Sequence, residues 1–424
     1  MIRINNNNNN LIKKSFLIGI FFLPSAPALS FIFLLLTAII SFTKNLEEIF
    51  SEKWNWIFIA SIILLPLISF NHNENLLPLN GNWDKSLTWI GLSNWLPLMF
   101  CFLSFQKLLK SPKDREHVSK ALIAGSFPII LSGLTQYFLK WYGPYDFLNG
   151  FIIWFQRPIQ TDVGLTSIFN NQNYAGSWFC IIWPLCLASF LSEKDQIINK
   201  SITISFLISV TVVLILTTSR NAWGGMILLI PLMTGISSLY WLLPVIIICF
   251  LFISLTFTNI IPNDLQVFFQ NFLPEKIWQE FIPDNFLYRE SRLEIWYQAI
   301  QFILKKPLYG WGAATFPILY FSVNQSYVGH AHNLILELAL SYGIPVTVII
   351  FTTIILISFF SFVKIFLRNK NNQINLYERA WVSSFFILLL SQMVDIQYFD
   401  GRISLIFWIQ LAGLIAIIKP SHLD

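Results

Sequence analysis

Tyr240-Trp241-Leu242-Leu243-Pro244-Val245-Ile246-Ile247-Ile248-Cys249-Phe250-Leu251-Phe252-Ile253-Ser254-Leu255-Thr256-Phe257-Thr258 is apolar almost throughout, and Asn259-Ile260-Ile261-Pro262-Asn263-Asp264 ends it abruptly. About 20 apolar residues cross a hydrocarbon core of about 30 Å as a helix, so 240–258 reads as a membrane span. The chain then stays mostly polar from 259 to 331, and hydrophobicity resumes at His332. Further apolar runs of similar length fall at 54–70, 87–106, 118–139, 174–191, 201–218, 222–238, 345–363, 380–395 and 403–418. The first apolar stretch, 15–43, is divided by Pro24 and Pro27 and reads either as one long tilted helix or as a tight pair of short ones.

Composition agrees. Of 424 residues, 55% are hydrophobic and 12% charged, against about 25% charged in a soluble domain. Too little charge remains to cover a water-facing surface, so lipid is the solvent for much of the chain. The 16 Trp and 13 Tyr suit a protein with many lipid–water boundaries. Cys101, Cys180, Cys186 and Cys249 all lie in apolar runs and read as small core residues. The formal charge of +5 is no nucleic-acid signature, because most of it collects on one side of the membrane. With the first stretch taken as two spans, most Lys and Arg fall in the same set of loops as the amino terminus, as the positive-inside rule requires.

The expected architecture is therefore an all-α polytopic membrane protein with about 12 transmembrane helices, both termini inside, and one large outer loop containing short helices. Residues 1–14 form a disordered tail, with the Asn5–Asn10 run as its low-complexity part. Residues 15–258 hold nine spans, 259–331 the large loop, 332–344 an interfacial helix, and 345–424 three spans and a short tail. Gly343-Ile344-Pro345 separates the interfacial helix from the next span and keeps Glu337 out of the hydrocarbon, with Asn333 and Glu337 on one helical face.

Candidate chemistry collects at the outer surface. Arg220 sits in a tight turn, Thr217-Thr218-Ser219-Arg220-Asn221-Ala222, where small residues let helices approach closely. Arg292 opens a run whose Leu293, Trp296, Ile300 and Ile303 share one helical face. Pro307-Leu308-Tyr309-Gly310-Trp311-Gly312 reads as a turn against the membrane. His330 and His332 lack a third ligand nearby in sequence, so no metal is expected. Arg recognises anions, diphosphate included, through a planar fork of donors, and a neutral His is a general base near pH 7. The pairing suits transfer from a diphosphate-linked donor to a hydroxyl.

At these residues the chain resembles the O-antigen ligase and polymerase family of bacterial membrane glycosyltransferases. His330-Ala331-His332-Asn333-Leu334-Ile335-Leu336-Glu337 with Tyr342-Gly343-Ile344-Pro345 carries the strongest likeness. Ser291-Arg292, the Pro307–Gly312 turn with Phe316, Thr218–Ala222 and, more weakly, Phe169–Ala175 follow. Asp395-Ile396-Gln397-Tyr398-Phe399-Asp400-Gly401-Arg402 is similar to a cyanobacterial branch once linked to bicarbonate accumulation. The resemblance implies a metal-independent, cofactor-free transfer at the periplasmic face of the inner membrane. The donor would be an undecaprenyl-diphosphate-linked glycan and the acceptor a glycolipid or glycan. It implies His332 as the catalytic base and Arg220 and Arg292 on the diphosphate; His330, Asn333 and Glu337 complete the expected substrate-binding set. The competing reading is a transporter, including one for inorganic carbon. Against it, no predicted span carries a charged residue near its centre, where secondary transporters bind their cargo. A scaffold role in envelope assembly is the third reading.

Overall fold

The computed structural model describes residues 6–72, 83–159, 163–193, 197–257, 262, 264, 291–368 and 375–419. Most of the expected loop, including 265–290, lies outside the described residues. The first helices are α1 (Asn6–Phe22), α2 (Pro27–Lys44), α3 (Leu46–Ser51), α4 (Lys53–Ser69), α5 (Ser86–Gly91), α6 (Leu96–Phe105), α7 (Pro112–Gly125) and α8 (Phe127–Phe138). A small hairpin of β1 (Tyr145–Phe147) and β2 (Ile152–Trp154) precedes α9 (Gln172–Ser192), α10 (Ile197–Leu216), α11 (Arg220–Thr234) and α12 (Leu239–Phe257). Then come α13 (Arg292–Lys305), α14 (Phe316–Asn324), α15 (Leu334–Tyr342), α16 (Ile344–Phe362), α17 (Leu376–Ser391) and α18 (Gly401–Ile418).

Among the described residues, seven helical stretches are long and apolar enough to cross a bilayer. The shorter apolar helices Lys53–Ser69 and Ile236–Ile248 fall at two more of the expected spans. Helices α1, α11 and α17, of 17, 15 and 16 residues, fall at three others. The prolines do split the first apolar stretch: α1 and α2 pack as a pair, with Ser30 Oγ donating to the Gly19 carbonyl at 2.7 Å. One expectation is corrected. The tail expected to be disordered is helical from Asn6 onward, because Ile12 is buried and Lys13 reaches Asp114 at 2.6 Å.

The centre of the bundle is α9 and α18, whose spans are 83% and 78% buried, whereas α10 is 17% buried and faces outward. Helix α17 packs along α9 and gives the bundle a direction. At its start Glu378 pairs with the buried Arg115 of α7, and at its end Ser391 meets the candidate site. The irregular segment before α9 is buried inside the bundle. Its backbone is satisfied by a side chain: Thr166 and Ser167 N–H donate to Gln136 Oε1 at 3.1 and 2.8 Å. Buried backbone polar groups demand such partners. That segment delivers Asn171 and Asn173 to the same end of the bundle as Ser391.

Candidate active site

The His330–Asn333 segment is built by its neighbours. Asn333 caps α15, its Oδ1 accepting from Ile335 and Leu336 N–H at 3.0 and 3.1 Å, while its Nδ2 donates to the Met393 carbonyl at 2.9 Å. The Leu334 N–H donates to the Gln392 carbonyl at 2.9 Å. These bonds fasten the loop to the segment 392–400, and His332 takes up φ +51°. That left-handed conformation is uncommon outside Gly and is held here from both sides.

On this frame His332 Nδ1 stands 2.6 Å from Asp395 Oδ1. Asp395 Oδ2 accepts from Asn173 Nδ2 at 2.9 Å, and Arg292 approaches Oδ1 at 3.8 Å. Burial pushes the Asp395 carboxyl up, but the His332 bond and the nearby Arg292 and His330 outweigh it and hold it below the usual carboxylate range. An ionised Asp395 can only accept, so His332 Nδ1 carries the proton between them and donates it to the carboxylate.

His330 packs edge-on against His332, ring centroids 4.2 Å apart, and its Nδ1 accepts the His332 N–H at 3.2 Å. Burial, with His332 beside it, pushes the His330 imidazole down to about 4, so it is neutral at pH 7.

Arg220 is exposed at the first turn of α11, after Ser219 caps the helix. The next residue, Asn221, donates to Ser391 Oγ at 2.9 Å, four positions before Asp395. The small residues act as expected. A Cβ on Gly176 would lie 2.7 Å from the Ala222 Cβ, and one on Gly225 would lie 3.0 Å from Ile387, so α11 fits closely between α9 and α17.

Glu337 and Asn333 are tied into the loop, and the buried face of α13 differs from the one expected. Glu337 is buried and accepts the Ala331 N–H at 2.8 Å, and Asn333 is occupied by the cap and Met393. The buried face of α13 is Ile295, Ala299, Phe302 and Ile303, whereas Leu293 and Ile300 join Tyr297 and Leu304 on an exposed apolar stripe. The 307–312 turn lies against α15. Trp311 and Gly312 N–H donate to the Leu340 and Ser341 carbonyls at 2.7 and 3.0 Å, and Gly310, at φ +73°, leaves no room for a Cβ beside Leu340.

Burial pushes the Glu337 carboxyl up to about 7, against the Ala331 N–H, which favours the ionised form. The folded state therefore holds this proton more tightly than the unfolded state does. Its contribution is full below the unfolded pKa and is lost as pH rises through about 7. Thermal unfolding of purified protein should show Tm falling between about pH 5 and 8. Glu337→Gln, which keeps an acceptor for Ala331 but cannot ionise, should flatten that fall. Equal slopes in both proteins would refute the burial argument.

Asp395 and Asn173 were missed as site residues by the sequence reading, although both lie in quoted motifs. Asp395 was legible only as the carboxylate closing a predicted span at its outer end. Asn173, two residues after a helix cap, gave no signal. The premise against a metal also changes, because the fold supplies Asp395 as a third potential ligand beside His330 and His332.

Five helices begin around this cluster. Their caps are Asn171, Ser219, Ser291, Asn333 and Asp400. Each N-terminus carries partial positive charge and unsatisfied N–H groups, so their convergence favours an anion.

Fold and site together define a multi-pass helical membrane protein with a His–Asp pair and two arginines at one end of its bundle. Residues 204–351 match the family model described as O-Antigen ligase. The match runs from α10 into α16 and includes Arg220, Arg292, His330 and His332. It does not reach Asn173, or the Asp395–Arg402 motif behind the likeness to the bicarbonate-linked branch. No curated protein matches the chain.

Proposed function

We propose that this protein is a glycosyltransferase that moves a glycan from an undecaprenyl-diphosphate donor to an acceptor hydroxyl at the periplasmic face of the inner membrane. The observation that carries the reading is the His332–Asp395 pair, with Arg292 beside it, at the end of the bundle where α9, α13 and α15 begin. Arg220, Arg292 and the helix ends take the diphosphate. His332 Nε2 takes the acceptor proton as the acceptor oxygen bonds to the anomeric carbon. The bond from that carbon to the diphosphate breaks, and the diphosphate leaves with the electron pair into the cationic surround. Asp395 positions the imidazole and stabilises its protonated form, and Asn173 holds Asp395. Metal plays no part in this scheme.

Two experiments test it. Purified protein, lipid-linked donor and candidate acceptors should yield glycosylated acceptor and free lipid diphosphate; transport of solute without product would overturn the reading. The topology follows the charge bias, with twelve spans and both termini cytoplasmic. In a cysteine-less background, Tyr327→Cys should label with an impermeant maleimide in spheroplasts and Lys113→Cys only after lysis. The reverse pattern would put the site on the wrong side.

A further inference from the structure

We propose that His330, His332 and Asp395 form a Zn²⁺ site whose occupation switches the protein off. One ligand atom from each residue lies within 4.8 Å of the others. Zinc takes imidazole nitrogen and carboxylate oxygen at about 2.0–2.2 Å, commonly with three protein ligands and one open position. Two imidazoles and a carboxylate suit zinc, whereas magnesium and calcium prefer all-oxygen shells. Support is already present at Asp395, whose Oδ2 accepts from Asn173 Nδ2, and His330 Nδ1 gives up the His332 N–H as it turns its lone pair to the metal. The metal takes the place of the proton between His332 Nδ1 and Asp395 Oδ1; that proton moves to His332 Nε2, so the imidazole stays neutral, and the pair opens from 2.6 Å as the His330 ring closes in. Arg292, 3.8 Å from Asp395, opposes a second cation and keeps affinity modest.

The site is inhibitory under the proposed function, because a metal on His332 and Asp395 abolishes the pair that accepts the acceptor's proton. Binding itself does not depend on that reading. The test is calorimetric titration of ZnCl₂ alone into untagged, chelator-stripped, full-length protein in detergent, repeated with MgCl₂. One zinc per chain is expected with affinity on the order of micromolar, and no magnesium heat. His330→Ala and Asp395→Asn should each weaken zinc binding at least about tenfold, with circular dichroism confirming the helical fold. Absence of zinc binding at millimolar metal, or binding unchanged in both variants, overturns the site. Zinc bound by wild type without loss of transfer, in an assay that zinc-free protein passes, overturns the inhibitory role alone.

Discussion

His332→Ala is expected to reduce glycan transfer by about 10²–10⁴-fold, the usual contribution of a positioned general base. A sugar hydroxyl is a weak nucleophile until its proton is being removed, and in the scheme above His332 is the base that removes it. The loss should appear in kcat, with donor binding retained, because the arginines and helix ends that hold the diphosphate stay in place. Asp395→Asn separates positioning from charge. An amide donating to Nδ1 would fix the opposite tautomer and put a proton on Nε2, where the lone pair is needed. Its loss should approach that of His332→Ala and come with an altered pH profile for kcat. Near-normal turnover of His332→Ala with defined donor and acceptor would remove the proposed mechanism.

Much of this was legible in the sequence because lipid imposes a simple rule. Spans must be long, apolar and helical, so the runs ending at Thr258 and resuming at His332 announced themselves. Pro24 and Pro27 divided the first stretch, and the sidedness of the charges, not the prolines, favoured reading it as a pair. The small residues around Arg220 announced a close helix approach, which Gly176 and Gly225 provide. What stayed hidden were contacts made at long range. Asp395 lies 63 positions from His332 and Asn173 lies 222 positions from Asp395, and nothing local marks either pairing. The face of α13 was misread for a related reason. Its apolar residues occupy two sides, and only the packing of Phe302 and Ile303 against Trp311 and Phe316 selects the buried one. Asn333 and Glu337 have backbone groups as partners, which a sequence does not display.

Arg220→Lys and Arg292→Lys test the donor site. Both substitutions keep a positive charge, so a site that needs only charge should tolerate them. Guanidinium instead presents a planar fork that grips two phosphate oxygens together, and an ammonium cannot reproduce it. Losing one charge-assisted hydrogen bond costs about 1.5–3 kcal/mol, or roughly a 10–150-fold weakening. Arg292 carries a second duty beside Asp395, at 3.8 Å, so Arg292→Lys should also disturb the pH dependence set by the His332–Asp395 pair. Arg220, held next to Ser391 through Asn221, should affect the donor KM more purely. The measurement is transfer rate against lipid-linked donor concentration at several pH values. Wild-type KM and kcat in both lysine variants would mean that the diphosphate lies elsewhere.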